Sequence, residues 1–365
     1  MLLFKEKLEY ADPLNVIFLC GSNYKPENKK DKRVILKNFL QEKETNCQVV
    51  ILEENFVFAQ NRKGYLAYDN IFVTNLAEVE KLAAIYADKI IIIHETISTA
   101  AEIGMFASNG SLKNKICVLV PDDISIEEDK MSVFIKLAFS NYKDDKAERL
   151  KKLTFYPDIK VHRTSMYKSE YHTFFHDNII GNVLGNDILN FVKRTNSNKT
   201  INIMRMQYNQ PYKDPGIISY TINDNTIDAY VHFETLKIQL LSMFSVEKFR
   251  SEFRKERYIK DHIHYITKKY EEILLNSICY FKGIDNKLFS IKTYLLGIDE
   301  CDLTQATGYF LYMLQATNLI GLEQSLQDDN NIRKIRIKES LEICIKNITG
   351  YIYDKNETVF GGMIS

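Results

Sequence analysis

The stretch "IIIIHETISTAAEIGMFASN", Ile90 to Asn109, joins four isoleucines to a helical pattern through a short polar turn. An unbroken β-branched run is apolar on both faces, as in a strand covered from both sides. The residues after it, "TAAEIGMFASN" (99–109), place apolar side chains at helical spacing. Two glutamates stand at the junction, Glu95 at the strand's end and Glu102 where the helix starts.

Working outward, "VIFLC" (16–20), "CQVVIL" (47–52) and "KICVLV" (115–120) repeat the strand type, and "KRVILKNFLQEKE" (32–44) and "TNLAEVEKLAAIYA" (74–87) repeat the amphipathic type. Strands alternating with helices predict an α/β fold with a doubly wound parallel sheet. Such sheets bind ligands beyond the carboxyl ends of their strands. The loops "GSNYKPE", "EENFVFAQNRKGY" and "ETIST" should therefore face one crevice. The charged region 122–160 reads as the closing helix of this domain plus a connection.

The remainder divides into a mixed α/β connecting region, 151–245, and a helix-rich region, 246–365, after an α/β domain at 1–150. "HTFFHDNIIGNVLGNDILNFVKR" carries a helical stripe, and "GIISYTINDNTIDAYVHFE" alternates like a hairpin turning at Asn223-Asp224-Asn225. Beyond 246, Ile263, Ile266, Tyr270, Ile273, Leu274 and Phe281 mark one helix face. "FSIKTYLLGI" and "DLTQATGYFLYMLQATNLI" continue the helical pattern, and "GLEQSLQDDNNIRKIRI" reads as two strands about a polar turn. Helix, helix, helix, hairpin is the order of a winged helix-turn-helix, with "GIDECD" as the short turn and Asp302 as the cap of the third helix.

The 365 residues carry 48 basic and 48 acidic side chains, so no whole-protein field recruits nucleic acid; such binding needs a local patch. Six cysteines without close pairing fit neither a disulfide framework nor a CxxC site. The opening "MLLFKEKLEY" lacks a signal-peptide core and no apolar run is long enough for a membrane span, so a cytoplasmic chain is expected.

Thr99 and Glu102 have the spacing of a capping box, in which the glutamate serves only its own helix. The same position also lies at the rim of the expected crevice. A helix start favours an ionised carboxylate, and a carboxylate beside an anomeric carbon can capture an oxocarbenium-like transition state covalently. Glu95 can accept hydrogen bonds from sugar hydroxyls or stay solvated. Ser22 and Ser98 are candidate phosphate or sugar contacts, as are the backbone N–H groups and Lys25 of "GSNYKP". His94 can act as an acid or be satisfied within the fold. Tyr24, Tyr65 and Tyr68 can stack on a base or pack in the core. The loop after the first strand has neither GxGxxG nor a Walker pattern, which argues against dinucleotide redox chemistry.

"IFLCGS", the acidic strand end and Glu-Ile-Gly at a helix start resemble the nucleoside 2-deoxyribosyltransferase-like fold. The whole arrangement resembles retron effector proteins that carry this domain with a C-terminal winged helix. The resemblance implies cleavage of a nucleotide N-glycosidic bond, with NAD as substrate and no further cofactor. It places Glu102 at the catalytic glutamate and Glu95 at the preceding acidic position. Gly21, Ser22, Glu95, Ser98 and Thr99 are then the expected substrate contacts. It also implies a retron reverse transcriptase and its branched DNA-RNA product as partners that restrain a toxin, no membrane, and room for homo-oligomers or filaments. Nicotinamide in NAD is already cationic and leaves neutral, so one carboxylate suffices, whereas a purine needs protonation.

Other features carry less. His172 and His176 stand four apart on an expected helix beside Asp177, with no third metal ligand, so no metal is implied. The basic segment 249–270 and Arg333, Lys334, Arg336 and Lys338 of the expected wing can meet a phosphate backbone or form a solvated face. A nucleotide-sensing, nucleic-acid-binding regulator without catalysis is the second reading, and a nucleoside deoxyribosyltransferase a third.

Overall fold

The computed structural model describes residues 4, 7–11, 14–22, 24–28, 31–44, 47–56, 71, 73, 75–109, 112–122, 153–157, 175–176, 179–193, 198–298, 301–324 and 332–355. Contacts group the chain into two compact units, each assembled from separate segments: Met1–Pro13, Val57–Asn75 and Asn196–Ser365 in one, Leu14–Phe56 and Leu76–Thr195 in the other. A linear division at 150 and 245 is thus a different partition from the one the contacts make.

In chain order, β1 (Lys7–Ala11) belongs to the first unit. The second unit follows with β2 (Asn15–Cys20), α1 (Lys32–Lys43), β3 (Cys47–Ile51), α2 (Leu52–Asn55), α3 (Leu76–Tyr86), β4 (Lys89–Ile93), α4 (Ile97–Ala107), β5 (Ile116–Asp122), β6 (Leu153–Pro157), β7 (Phe175–His176), β8 (Ile179–Ile180) and α5 (Asn182–Val192). The first unit resumes with β9 (Asn198–Arg205), β10 (Ile217–Asn223), β11 (Thr226–His232), α6 (Phe233–Met243), α7 (Glu247–Phe253), β12 (Arg257–Tyr258), α8 (Ile259–Lys282), β13 (Ser290–Leu296), α9 (Leu303–Ala316), β14 (Ile320–Gln324), β15 (Ile332–Ile337) and α10 (Glu339–Lys355).

The second unit is built on a five-stranded sheet, order β3-β2-β4-β5-β6, in which every pairing is parallel. The unbroken apolar runs account for it. Ile17, Leu19, Val49, Ile51, Ile91 and Ile93 point to one face and pack with Leu36 and Leu40 of α1 and Leu184, Ile188 and Val192 of α5. On the opposite face Phe18 meets Phe106 of α4 edge-on, ring centroids 6.2 Å apart. The chain runs from β2 outward to β3 and then returns past β2 to β4. The carboxyl ends of β2 and β4 therefore flank the topological switch point, where the loops diverge and leave a crevice.

Two expectations change here. Leu153–Pro157 is an edge strand paired with β5, not part of a closing helix and connection. Its Leu-Thr-Phe-Tyr run suits a pleated surface, and Pro157, which cannot donate to a ladder, falls at its end on the sheet edge. Residues 123–152 lie outside those described. Within the helical stripe of 172–194, Asn182–Val192 forms α5, whereas Phe175–His176 is a strand paired with β8, so His176 does not stand on the expected helix. His172 and Asp177 lie outside the described residues.

The first unit contains a mixed sheet, order β1-β9-β10-β11-β13. One face buries Leu8, Tyr10, Ile201, Ile203, Ile218, Tyr220, Ile227, Ala229 and Val231. The hairpin turns as expected, with Asn223 opposite Thr226 and Asp224 at φ 41°, a left-handed conformation that a short Asp side chain tolerates. β14 and β15 form the other expected hairpin, extended to three strands by β12. Asp302 caps α9 in a capping box: its carboxylate accepts from the Gln305 N–H at 2.8 Å, and Gln305 accepts from the Asp302 N–H at 3.0 Å.

The segment read as the second helix of a helix-turn-helix is instead β13, parallel to β11. Tyr294 stacks on Tyr230 across the two strands, centroids 5.0 Å apart, and Gly297 at φ 81° ends the strand. "GIDECD" therefore joins a strand to α9 and not two helices.

Candidate functional site

The loops after β2 and β4 and the starts of α1, α3 and α4 enclose a cleft of about 750 Å³ within the second unit. Gly21, Ser22, Glu95, Ser98 and Glu102 all line it, as do Lys25, Lys32 and Thr96. Residues separated by some eighty positions thus meet because β2 and β4 are neighbours in the sheet. Thr99 does not line the cleft. It is fully buried and occupied by its helix: its hydroxyl accepts from the N–H groups of Glu95 (3.3 Å) and Thr96 (3.1 Å) and donates to the Thr96 carbonyl at 2.7 Å.

That bonding overturns the capping box expected from Thr99 to Glu102. The cap is Thr96, its hydroxyl accepting from the Thr99 N–H, and the reciprocal partner is Thr99. α4 consequently begins at Ile97, two or three residues before the expected start, and Glu102 falls in its second turn. No cap needs this glutamate. The helix-end field also decays within the first turn, so it does not hold Glu102 ionised.

Burial dominates instead. It lifts the Glu102 carboxyl to about 8, aided by the charge of Glu80 and, less, of Glu53; the Arg33 cation and a hydrogen bond from the Cys20 thiol pull the other way. Its Oε2 is buried without a hydrogen-bond partner among the described residues. At neutral pH a carboxyl so raised is mostly protonated, contrary to the expectation of an ionised group. Glu95 differs: Lys32 pairs with it, and the Ser22 hydroxyl donates to it at 3.4 Å.

Several cleft residues escaped the sequence reading, Lys32, Arg33, Glu53 and Glu80 among them. Arg33, on the first turn of α1, is only 3% exposed. Its Nη1 donates to both oxygens of Glu53, at 3.1 and 3.0 Å, and its Nη2 donates to the Ser22 carbonyl. The pair anchors the turn after β2 from beneath. Tyr24, which does not itself line the cleft, packs on this pair, with its ring 5.1 Å from the guanidinium and its hydroxyl donating to Glu54 at 2.9 Å. Glu53 and Glu80 also line the cleft. Only the Gly21-Ser22 turn could have hinted at Arg33, because glycine there signals a close approach.

A Cβ at Gly21 would lie 2.9 Å from Arg33 Cδ and 3.2 Å from its Nε. Arg33 is pinned at its far end and cannot simply swing aside. Gly21→Ala is expected to lower stability by about 1–3 kcal/mol, read as a reduced unfolding midpoint, and to weaken any ligand held by the turn.

His94 hydrogen-bonds Thr99 Oγ1 at 3.1 Å and does not line the cleft; burial lowers its pKa despite Glu95, so it is a satisfied neutral histidine. Tyr65 and Tyr68 lie outside the described residues. Among the described residues no group of three His, Cys, Asp or Glu is placed to hold a metal ion. No helix there is long and apolar enough to cross a membrane.

Alternation along β15 splits the basic quartet. Arg333 and Ile335 face inward, Arg333 only 7% exposed and its carbonyl opposite His262 Nε2 at 3.0 Å, so Arg333 is not the free phosphate contact expected. Lys334 and Arg336 face outward, near Glu256 (3.2 Å) and Glu323 (3.7 Å) respectively. Lys338 holds the Asn318 side chain. Several bases of the segment 249–270 are matched by nearby acids: Arg250 with Glu247 at 2.6 Å, Lys255 and Arg257 with Glu252.

The second unit is thus a parallel α/β sheet with a charged cleft at its switch point, the place where such sheets bind ligands, and the Glu102 carboxyl is part of its lining. Residues 29–322 match the family described as STM3845 retron effector protein. The chain belongs to that family. It is also similar to an Escherichia coli protein named "Retron Ec73 putative ribosyltransferase/DNA-binding protein", 30% identical over 119 residues, which is 32% of this chain. The match spans about a third of that relative's length, 36%.

Proposed function

We propose that the chain is a nucleotide N-glycosidase that cleaves NAD with release of nicotinamide, the toxic effector of a retron anti-phage system acting in the cytoplasm. The observation that carries this reading is Glu102: a carboxyl that caps nothing and lines a cleft beside a glycine turn at the switch point. The family membership and the relative's printed name, which includes ribosyltransferase, support it.

In this reading the backbone N–H groups of Gly21 and Ser22, with Lys25 and Lys32, meet the phosphates. Glu95, exchanging Lys32 for substrate, accepts from ribose hydroxyls, with Ser98 nearby. The cationic pyridinium entering beside Glu102 favours the charged form of the carboxyl and releases its proton. The carboxylate attacks ribose C1′; the C1′–N bond breaks with its electron pair returning to the ring, and neutral nicotinamide leaves. Water then hydrolyses the ribosyl ester. NAD is the substrate and no cofactor takes part. A transferase that passes the ribosyl or deoxyribosyl group to an acceptor other than water is the second reading, favoured by the relative's name. Nicotinamide release from NAD by the purified chain tests the proposal. Release of a different base from a nucleotide would move it to another substrate.

The helix-rich part is proposed to be a winged-helix-like module, its wing β14–β15, binding the branched DNA-RNA of a retron whose reverse transcriptase completes the restraining complex. With Arg333 facing inward, Lys334 and Arg336 carry the phosphate contacts. Charge reversal of both is expected to weaken nucleic-acid binding and to flatten its log-log salt dependence by about 2, measured by fluorescence anisotropy over a salt series. An unchanged slope would place the nucleic acid elsewhere.

A further inference from the structure

The reaction needs a group to activate the water that resolves the ester, and four glutamates line the cleft. Glu53 is held by Arg33, Glu95 is given to the ribose hydroxyls, Glu102 would itself be esterified, and the remaining carboxylate of the lining, Asp31, caps α1. Glu80 alone remains. Among the described residues no hydrogen bond or ion pair engages it. α3 and α4 lie on the same face of the sheet and pack against each other, each starting at the cleft. Glu80 is in the second turn of α3 and Glu102 in the second turn of α4, so the two carboxyls stand at matching depth on adjacent helices.

We infer that Glu80 is a second catalytic residue, the general base that deprotonates the attacking water; this rests on Glu102 being the nucleophile. The step balances: Glu80 takes a proton from water, the oxygen bonds to C1′, and the C1′–O bond to Glu102 breaks with its electron pair returning to that carboxylate. Esterification removes the Glu102 charge and with it one source of repulsion on Glu80. Burial and then the charge of Glu53 raise the pKa of Glu80, which brings a carboxylate closer to the neutral range where a base works well.

The test is Glu80→Gln with NAD, read by rapid quench and intact mass, with melting curves as a fold control and Glu80→Asp as a second variant. The expected result is a burst of nicotinamide of about one equivalent, a ribosyl adduct accumulating on the Glu102 peptide, and steady-state turnover lowered roughly 100-fold or more. Azide, which needs no base, should restore turnover in Glu80→Gln. The inference is overturned if a folded Glu80→Gln turns over at the wild-type rate, or if it loses the burst and forms no adduct. Wild type that releases nicotinamide while Glu80→Gln behaves normally removes only Glu80. Wild type that cleaves no nucleotide removes the parent reading and this one together.

Discussion

Glu102→Gln is expected to lower nicotinamide release about a thousandfold or more while leaving the fold intact. The amide is isosteric with the protonated acid, so the helix, the Thr96 cap and the packing around α4 have no reason to change. Only the nucleophilic carboxylate is removed. NAD affinity should change far less than kcat, because the proposed phosphate contacts lie at the β2 turn and not at α4. Chromatographic assay of nicotinamide, with a binding isotherm for NAD, separates the two parameters. A nucleotide-sensing protein without catalysis would show binding and no wild-type turnover.

The second large effect is on pH. Burial holds the free Glu102 carboxyl at about 8, so a nucleophile there is mostly protonated at neutral pH and kcat/KM should rise with pH up to about that value. If Glu102 instead protonated a neutral leaving base, activity would fall over the same range. The sign of the slope thus distinguishes nucleophile from acid. Stability should move too. The folded carboxyl binds its proton more tightly than the unfolded one, whose value is 4.5. Its contribution is fully present below 4.5 and is lost as pH climbs toward 8. Glu102→Gln lacks that loss and should be the more stable protein at pH 8 by roughly 3 kcal/mol, with the two converging near pH 4.5 in denaturant titrations.

The parallel sheet was legible because its strands are buried on both sides, which writes unbroken runs such as Ile90–Ile93 into the sequence. The hairpin at Asp224 and the Asp302 cap were legible for a similar reason: their signals are local. β13 was not. Its apolar residues fit a helical stripe as well as a strand, and its partner β11 lies about sixty residues away, so the deciding contact is non-local. The site shows the same division. Gly21, Ser22, Glu95 and Glu102 could be placed at the cleft from strand ends and helix starts. Arg33, Glu53 and Glu80 could not, since their roles arise where α1, α2 and α3 converge. The spacing of Thr99 and Glu102 pointed to Thr99 as the cap of α4, whereas the folded backbone uses Thr96, three residues earlier. The proton on Glu102 was equally hidden, because desolvation depends on what surrounds a group and not on its neighbours in the chain.

The most direct measurement is peptide mass after reaction with an NAD analogue fluorinated at the 2′ position of the nicotinamide ribose, which slows resolution of a glycosyl ester. The account predicts nicotinamide loss and one fluororibosyl adduct per chain, on the peptide containing Glu102. Cleavage of the analogue with no adduct, or with the adduct on another residue, would contradict it.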